Sequence, residues 1–247
     1  MYIGVDGCKA GWLAVDFYKQ QFQVASLFSE LTENLSTTES KVLVDIPIGL
    51  PSSNEGFNKD RDCDLKSRSL LQRRKSSVFP VPVREALGAG IYEKASLINK
   101  KILGKGLSKQ SYAIMDKIKQ VDDFIINQIR FESSKNPQIV VFESHPEIAF
   151  WGLNGGVEMH FAKRTTEGQK ERIYLLDSIE RGALSFFNEV LKRTNRSHVA
   201  ADDIIDAICL SITCNLLHKK REKAATVNGL KQEDALGVIM DIHYVKM

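Results

Sequence analysis

The chain has 247 residues, of which 43% are hydrophobic and 26% charged, and its formal net charge is +3. This balance is typical of a globular protein with one large domain, and the charge is too small to indicate nucleic-acid binding by itself. No stretch of about 18 apolar residues predicts a membrane span, and the four cysteines form no CxxC pair that would indicate a structural zinc site. We therefore expect a cytoplasmic protein without a signal peptide or a membrane partner, its thiols reduced.

Short apolar runs separated by tight joints open the chain. The predicted strands are residues 2–5, 12–17 and 22–28. The joints between them fit hairpins, so we expect an antiparallel meander of three strands. A brief helix over 29–35 and a fourth strand over 42–45, which Pro47 stops, then favour a mixed sheet.

The middle of the chain changes in composition. Residues 51–110 are rich in charge, serine and glycine and contain Pro80 and Pro82, which predicts an inserted excursion with short helices inside a single domain over 1–247. Helical spacing follows over 111–131, and the apolar run 139–142 suits a buried parallel strand. Helices over about 167–194 and 201–220, and an edge strand within 236–245, complete an α/β fold.

Acidic residues lie where several of these elements begin or end. Asp6, Asp45 and Glu143 end predicted strands or lie next to their ends. Ligand sites of α/β sheets collect at the carboxyl ends of strands, so we expect these acids to converge. The last helix adds Asp202, Asp203 and Asp206, and the i, i+4 spacing puts the first and third of them on one face.

Buried acids of this kind need a positive partner. An unpaired buried carboxylate costs several kcal/mol, and a hard divalent cation removes that cost and the mutual repulsion. The predicted ligands of Mg²⁺ or Mn²⁺ are Asp6, Asp45, Glu143, Asp203 and Asp206. Four of the acids also have a structural alternative. Asp202 caps a helix, Asp45 accepts in a turn, Glu143 pairs with an arginine, and Asp6 caps a hairpin.

Five motifs in order carry a resemblance to a known family. They are "GVDGCKAGW", "VDIPIGLP", "RDCDLKSRSLLQRRKSSVFPVPVREAL", "ESHPEIAF" and "ADDIIDAI", and they span residues 4 to about 207. Together they resemble domain-of-unknown-function family 429, described as predicted RNase H-like nucleases. A further stretch, "KRTTEGQKERIYLL", is similar to the family, and its Arg172 either faces the site or pairs with an acid.

The resemblance implies a fold and a chemistry. The implied fold is RNase H-like: a five-stranded mixed sheet, three strands antiparallel and two parallel, with helices on both faces. An aspartate on the first strand is the central metal ligand in such nucleases, and Asp6 falls at that position. The other ligands map to Asp45 or Glu143, and to Asp203 or Asp206. Fold likeness alone does not establish chemistry.

Basic residues beside the motifs are candidate substrate contacts. Arg61, Asp64 and Arg68 share one helical face, which favours a phosphate-contacting patch or, alternatively, an ion-paired surface helix. Lys9 in the first motif joins the predicted substrate-binding residues. His145, two residues after Glu143, is predicted to shuttle protons or position a phosphate, the alternative being a hydrogen-bonded turn residue.

Three functions remain open at this stage. The first is a metal-dependent nuclease that hydrolyses DNA or RNA by a two-metal mechanism. The second is a small-molecule phosphotransferase or ATPase of the actin-like, sugar-kinase type. The motif "VDGCKAG" resembles in part the Asp-x-Gly phosphate loop of those proteins. The third is a non-catalytic nucleic-acid-binding module. The sequence distinguishes neither DNA from RNA nor a monomer from a homo-oligomer.

Overall fold

A computed structural model describes residues 1–35, 39–131, 139–229 and 232–247. The chain divides into two compact units. The sheet unit comprises residues 1–45, 135–225 and 243–247, and the second unit comprises 46–134 and 226–242. No helix in the described ranges is both long and apolar enough to cross a membrane.

The sheet unit is built on five strands. They are β1 Tyr2–Cys8, β2 Gly11–Asp16, β3 Gln21–Ala25, β4 Ser40–Val44 and β5 Ile139–Glu143. Their order in the sheet is β3-β2-β1-β4-β5. β1 pairs antiparallel with β2 and β2 with β3, whereas β4 pairs parallel with both β1 and β5. The α/β class and the mixed sheet expected from the sequence are confirmed, with the strand arrangement that the resemblance implies.

Helices and a small second sheet complete the described chain. The helices are α1 Phe28–Leu35, α2 Asp62–Leu70, α3 Tyr92–Leu103, α4 Lys109–Ala113, α5 Met115–Phe131, α6 Pro146–Leu153, α7 Thr166–Ile179, α8 Ala183–Arg193 and α9 Ala201–Lys219. Strands β6 Ala224–Thr226 and β7 His243–Val245 form the small two-stranded sheet.

The structure corrects four details of the predicted elements. β1 continues to Cys8, so Asp6 lies inside the strand and not after it. One helix predicted over 111–131 is two, α4 and α5, with Ile114 between them. The helix predicted over 167–194 is also two, because Gly182 adopts φ +96°, and Asp177 Oδ1 accepts hydrogen bonds from its N–H and from that of Leu184. The predicted edge strand is β7, which pairs with β6 instead of the main sheet.

Helix α9 is the central element of the sheet unit's core. It is apolar nearly all round, and its residues are buried from Ile204 to Leu217. It lies so close to β1 that a Cβ on Gly4 would be 2.0 Å from the Ala207 carbonyl oxygen and 2.3 Å from the Ser211 nitrogen. Glycine at this position therefore allows the backbones of strand and helix to approach directly.

The second unit has its own apolar cluster and its own buried ion pairs. Val83, Ala86, Ala95, Leu107 and Met115 pack together among its short helices. Arg84 donates to both carboxylate oxygens of Asp122 at 2.9 and 2.8 Å, and to Asp234 Oδ2 at 2.6 Å. This guanidinium joins helix α5 to the returning segment 226–242.

Candidate functional site

Two aspartates lie at the same level of the parallel strands β1 and β4, Asp6 within β1 and Asp45 directly after β4. Val5 pairs with Val44, and the Asp45 N–H donates to the Val5 carbonyl at 3.0 Å, so Asp6 and Asp45 occupy the next level of the sheet. Residues at the same level of neighbouring strands project to the same face. Asp6 is 6% exposed, and its Oδ1 accepts a 2.8 Å hydrogen bond from the Gly7 N–H.

Helix α9 brings a third aspartate to this face. Gly4, two residues before Asp6, contacts the α9 backbone at Ala207, so the Asp6 face of β1 is the face that α9 covers. Asp206 precedes that contact and is 1% exposed. Its Oδ2 accepts a 2.6 Å hydrogen bond from Lys163 Nζ, whereas its buried Oδ1 has no hydrogen-bond partner among the described residues. We call Asp6, Asp45 and Asp206 the aspartate cluster.

The pKa values of the cluster show that its carboxyl groups act on one another. Burial, followed by the charges of Asp45 and Asp206, raises the pKa of Asp6 well above its ordinary value. Burial also raises the pKa of Asp45. Burial raises the pKa of Asp206 to about 6, although the charge of Lys163 opposes that rise. An added positive charge is therefore what this cluster would bind most favourably.

Lys163 is a residue of the candidate site that sequence reasoning missed. The charge of Asp206 raises the pKa of Lys163 well above its ordinary value, with Asp6 and Asp45 adding to the effect. Its stretch, "KRTTEGQKERIYLL", is conspicuous only through the family resemblance. A single lysine in a loop has no spacing that predicts its partner, so local patterns gave no signal for it.

A buried ion pair lies beside the cluster. Arg172 Nη2 donates to Glu147 Oε1 at 2.7 Å, and both residues are buried. Of the two roles that the sequence left open for Arg172, the structure shows the pairing with an acid. The charge of Glu147 nevertheless contributes to raising the pKa of Asp45 and of Asp206, so this pair is close to both aspartates.

Glu143 is placed differently from the aspartates. The sheet register puts it level with Val5 and Val44, one position away from the level of Asp6 and Asp45. Since side chains alternate along a strand, Glu143 projects from the face opposite to the aspartate cluster. It is buried, and it is not among the principal charges that shift the pKa of Asp6 or Asp206.

His145 acts electrostatically on the aspartate cluster. It directly precedes α6, and the effect of its positive form is to lower the pKa of Asp45. The two side chains therefore interact electrostatically. Among the predicted catalytic residues, His145 is the one whose imidazole interacts with Asp45.

The other aspartates of α9 have separate contacts. Asp203 Oδ2 accepts a 2.9 Å hydrogen bond from the Ala200 N–H at the helix start, as a capping residue does. Asp202 is 3.7 Å from Arg164 Nε, and that arginine side chain is 87% exposed. Asp206 is thus the α9 carboxylate that belongs to the cluster, with the charge of Asp203 a smaller influence on Asp6.

The predicted substrate-binding residues are distributed over both units. Lys9 is exposed in the β1–β2 turn of the sheet unit. In the second unit, Arg61 is buried, pairs with Asp64 at 2.6 Å and donates to the Ile48 and Gly49 carbonyls at 3.0 and 3.3 Å. Arg68 Nε donates to the Val78 carbonyl at 2.9 Å. The Arg61 contacts resemble the ion-paired alternative, although the pair is buried and not on the surface.

The cluster fits a divalent cation in its chemistry. Across the described ranges, no three His, Cys, Asp or Glu side chains already surround a common point as metal ligands do. The donors nevertheless are carboxylate oxygens, which Mg²⁺ and Mn²⁺ prefer. The orphaned Asp206 Oδ1 also lacks the partner that a buried carboxylate oxygen requires. Asp6, Asp45 and Asp206 are therefore the residues that would hold such an ion.

The fold and the cluster define an α/β protein with an acidic centre between a mixed sheet and its covering helix. The family described as "Protein of unknown function (DUF429)" matches residues 4–229, and the chain belongs to that family. No curated protein and no solved structure is similar enough to the chain to count as a match.

Proposed function

We propose that this protein is a metal-dependent nuclease that hydrolyses phosphodiester bonds of DNA or RNA. The observation that supports it best is that the charges of Asp45 and Asp206 both act on Asp6, although the three residues come from the end of β4, from α9 and from β1. The burial of these three carboxyl groups opposes their ionisation. A site that binds a cation and an anionic phosphate accounts for that cost.

The chemistry divides between the cation and the side chains. A bound Mg²⁺ or Mn²⁺ would supply a water of lowered pKa and positive charge for the phosphate. Asp6, Asp45 and Asp206 would hold that cation through their carboxylate oxygens. The oxygen of the attacking water forms a bond to phosphorus as the bond to the leaving oxygen breaks, so one proton leaves the water and one reaches the leaving oxygen. We assign the first of these protons to His145, which would accept it from the water because the ring acts electrostatically on Asp45, and the leaving oxygen would take its proton from solvent.

The Asp6→Asn variant tests the proposal. We expect it to reduce cleavage by about 10²–10⁴-fold, the range typical when a catalytic group is lost. We also expect it to remove the stabilisation by Mn²⁺, which would be about 2.7 kcal/mol for the native chain at 100 times the dissociation constant. The measurements are cleavage of single-stranded, duplex and hybrid substrates, and thermal unfolding with and without MnCl₂.

Asp123→Asn is the matched control, because Asp123 is an exposed carboxylate on α5 whose only described contact is the ion pair with Lys119. It should cleave and bind Mn²⁺ as the native chain does. Turnover of ATP without cleavage of any nucleic acid would favour the phosphotransferase alternative. Binding of nucleic acid with neither reaction would favour the non-catalytic alternative, and either result would contradict the nuclease.

A further inference from the structure

Lys163 contributes a positive charge to the aspartate cluster from within the chain. Its Nζ is 2.6 Å from Asp206 Oδ2, and its side chain is 35% exposed while Asp206 is almost fully buried. The Lys163 side chain is therefore partly open to solvent, whereas the acid that its ammonium group binds is not. A phosphate that approaches the cluster from solvent would meet this group.

The backbone that carries Lys163 is held firmly against α7. The Thr165 N–H and hydroxyl both donate to the Ala162 carbonyl, at 3.0 and 2.8 Å, and Thr165 Oγ1 accepts from the Gly168 N–H at 3.1 Å. A Cβ on Gly168 would be 1.9 Å from the Ala162 oxygen, so only glycine permits this approach. Arg172 Nη1 donates to the carbonyls of Phe161 and Gly168 at 3.0 and 3.1 Å. These bonds fix the origin of the Lys163 side chain.

The neighbouring cation is not used in the same way. Arg164 is 87% exposed and lies 3.7 Å from Asp202, outside the cluster. Two consecutive basic residues thus have different partners: Lys163 contacts the aspartate cluster, and Arg164 lies beside Asp202. The contrast provides an internal control for any effect of positive charge near the site.

The two oxygens of Asp206 also differ. Oδ2 accepts from Lys163, whereas the buried Oδ1 has no hydrogen-bond partner among the described residues. The Asp206 carboxylate can therefore bind the Lys163 ammonium group through Oδ2 and a metal cation through Oδ1. In charge, three ionised aspartates are balanced by one divalent cation and one ammonium, while the nearby Glu147 is already paired with Arg172.

We propose that Lys163 takes the place of the second metal ion, so that the site binds one divalent cation and the ammonium group contacts the phosphate. This inference rests on the proposed nuclease function and replaces the two-ion form expected from the sequence. Lys163 would neutralise a non-bridging phosphate oxygen without transferring a proton. Removal of a purely structural partner of Asp206 would leave the number of bound ions unchanged. Removal of a residue that replaces the second ion would raise that number.

Calorimetric titration with MnCl₂ counts the ions. We expect one Mn²⁺ per chain in the native protein and two in Lys163→Met, with Arg164→Met keeping one. At MnCl₂ concentrations too low to load the second ion, Lys163→Met should cleave about 10²-fold more slowly than the native chain, as happens when a charge-stabilising donor is lost. If Lys163→Met does not fold, the number of Mn²⁺ ions bound by the native protein still tests the proposal, because two ions would contradict it.

The outcomes separate this inference from the nuclease proposal. Two ions in a native chain that cleaves nucleic acid would overturn the role of Lys163 and leave the nuclease in place. One ion in both the native chain and Lys163→Met would show that Lys163 is only an ion-pair partner. One ion in the native chain and two in the variant, without cleavage by either, would keep Lys163 as the substitute cation and remove the nuclease. A native chain that binds no Mn²⁺ would overturn both.

Discussion

Asp203 and Asp206 are about one helical turn apart on α9, yet their side chains have different partners. Asp203 accepts from the Ala200 N–H at the exposed helix start, whereas Asp206 is buried against the sheet and bound to Lys163. An aspartate at a helix start stabilises the free N–H groups there. An aspartate inside the core has no such reason to be present, which supports a functional role for Asp206.

The pair of variants Asp206→Asn and Asp203→Asn tests this difference. We expect Asp206→Asn to lower cleavage by about 10²–10⁴-fold, because a cluster carboxylate is lost. Asp203→Asn should change cleavage by less than about tenfold, since asparagine still accepts the capping hydrogen bond. Steady-state rates on one nucleic-acid substrate make the comparison. Equal losses in the two variants would contradict the assignment of Asp206 to the cluster.

At the residue scale, the sequence predicts the acids of the candidate site better than it predicts the direction of their side chains or their partners. Asp6 and Asp45 follow from apolar runs that precede an acid, and this pattern is visible without a structure. The face on which Glu143 projects was not visible, because a shift of one residue in strand register reverses it. Lys163 was missed because a long side chain from a loop reaches partners that no sequence spacing encodes.

Contact between β1 and α9 sets the distance from Asp6 to Asp206. Both carboxylates depend on the close approach at Gly4, where strand and helix backbones touch. The order and type of these two elements followed from hydrophobic patterns, since long periodic segments are the clearest signals in a sequence. The breaks at Ile114 and Gly182 did not, because each depends on local backbone conformation.

Replacement of Gly4 by alanine tests this contact. A Cβ there would lie 2.0 Å from the Ala207 oxygen, so helix and strand must separate. We expect Gly4→Ala to lower the free energy of unfolding by about 1–3 kcal/mol, as overpacking does, and to weaken Mn²⁺ binding through the displaced Asp206. Gly88→Ala is the control, because a Cβ at Gly88 meets no atom within 4 Å. Unchanged stability and unchanged Mn²⁺ binding in Gly4→Ala, measured by urea unfolding and calorimetry, would contradict this account.

The chain comprises two compact units. The second unit contains two buried carboxylates, and its stability depends on their shared positive partner. Arg84 neutralises Asp122 and Asp234, whose side chains are 5% and 0% exposed. Loss of one member of a buried ionic group leaves the others uncompensated. The sequence did not reveal this group, because its members are 38 and 112 residues apart along the chain.

Arg84→Met is therefore expected to be strongly destabilising. The loss should be about 3–5 kcal/mol of unfolding free energy, the range for breaking a buried ion pair. Lys119→Met on α5 breaks only the exposed pair with Asp123 and should cost less than about 1 kcal/mol. Chemical denaturation of both variants measures the difference. Equal stability of the two would show that the Arg84 group contributes little.

The central claim is that Asp6, Asp45 and Asp206 bind a divalent cation. Crystals grown in MnCl₂ and measured at a wavelength where manganese scatters anomalously test it most directly. The account predicts manganese density in contact with the carboxylates of these three residues. Crystals that contain bound manganese elsewhere but none at the aspartate cluster, or none at all, would contradict it.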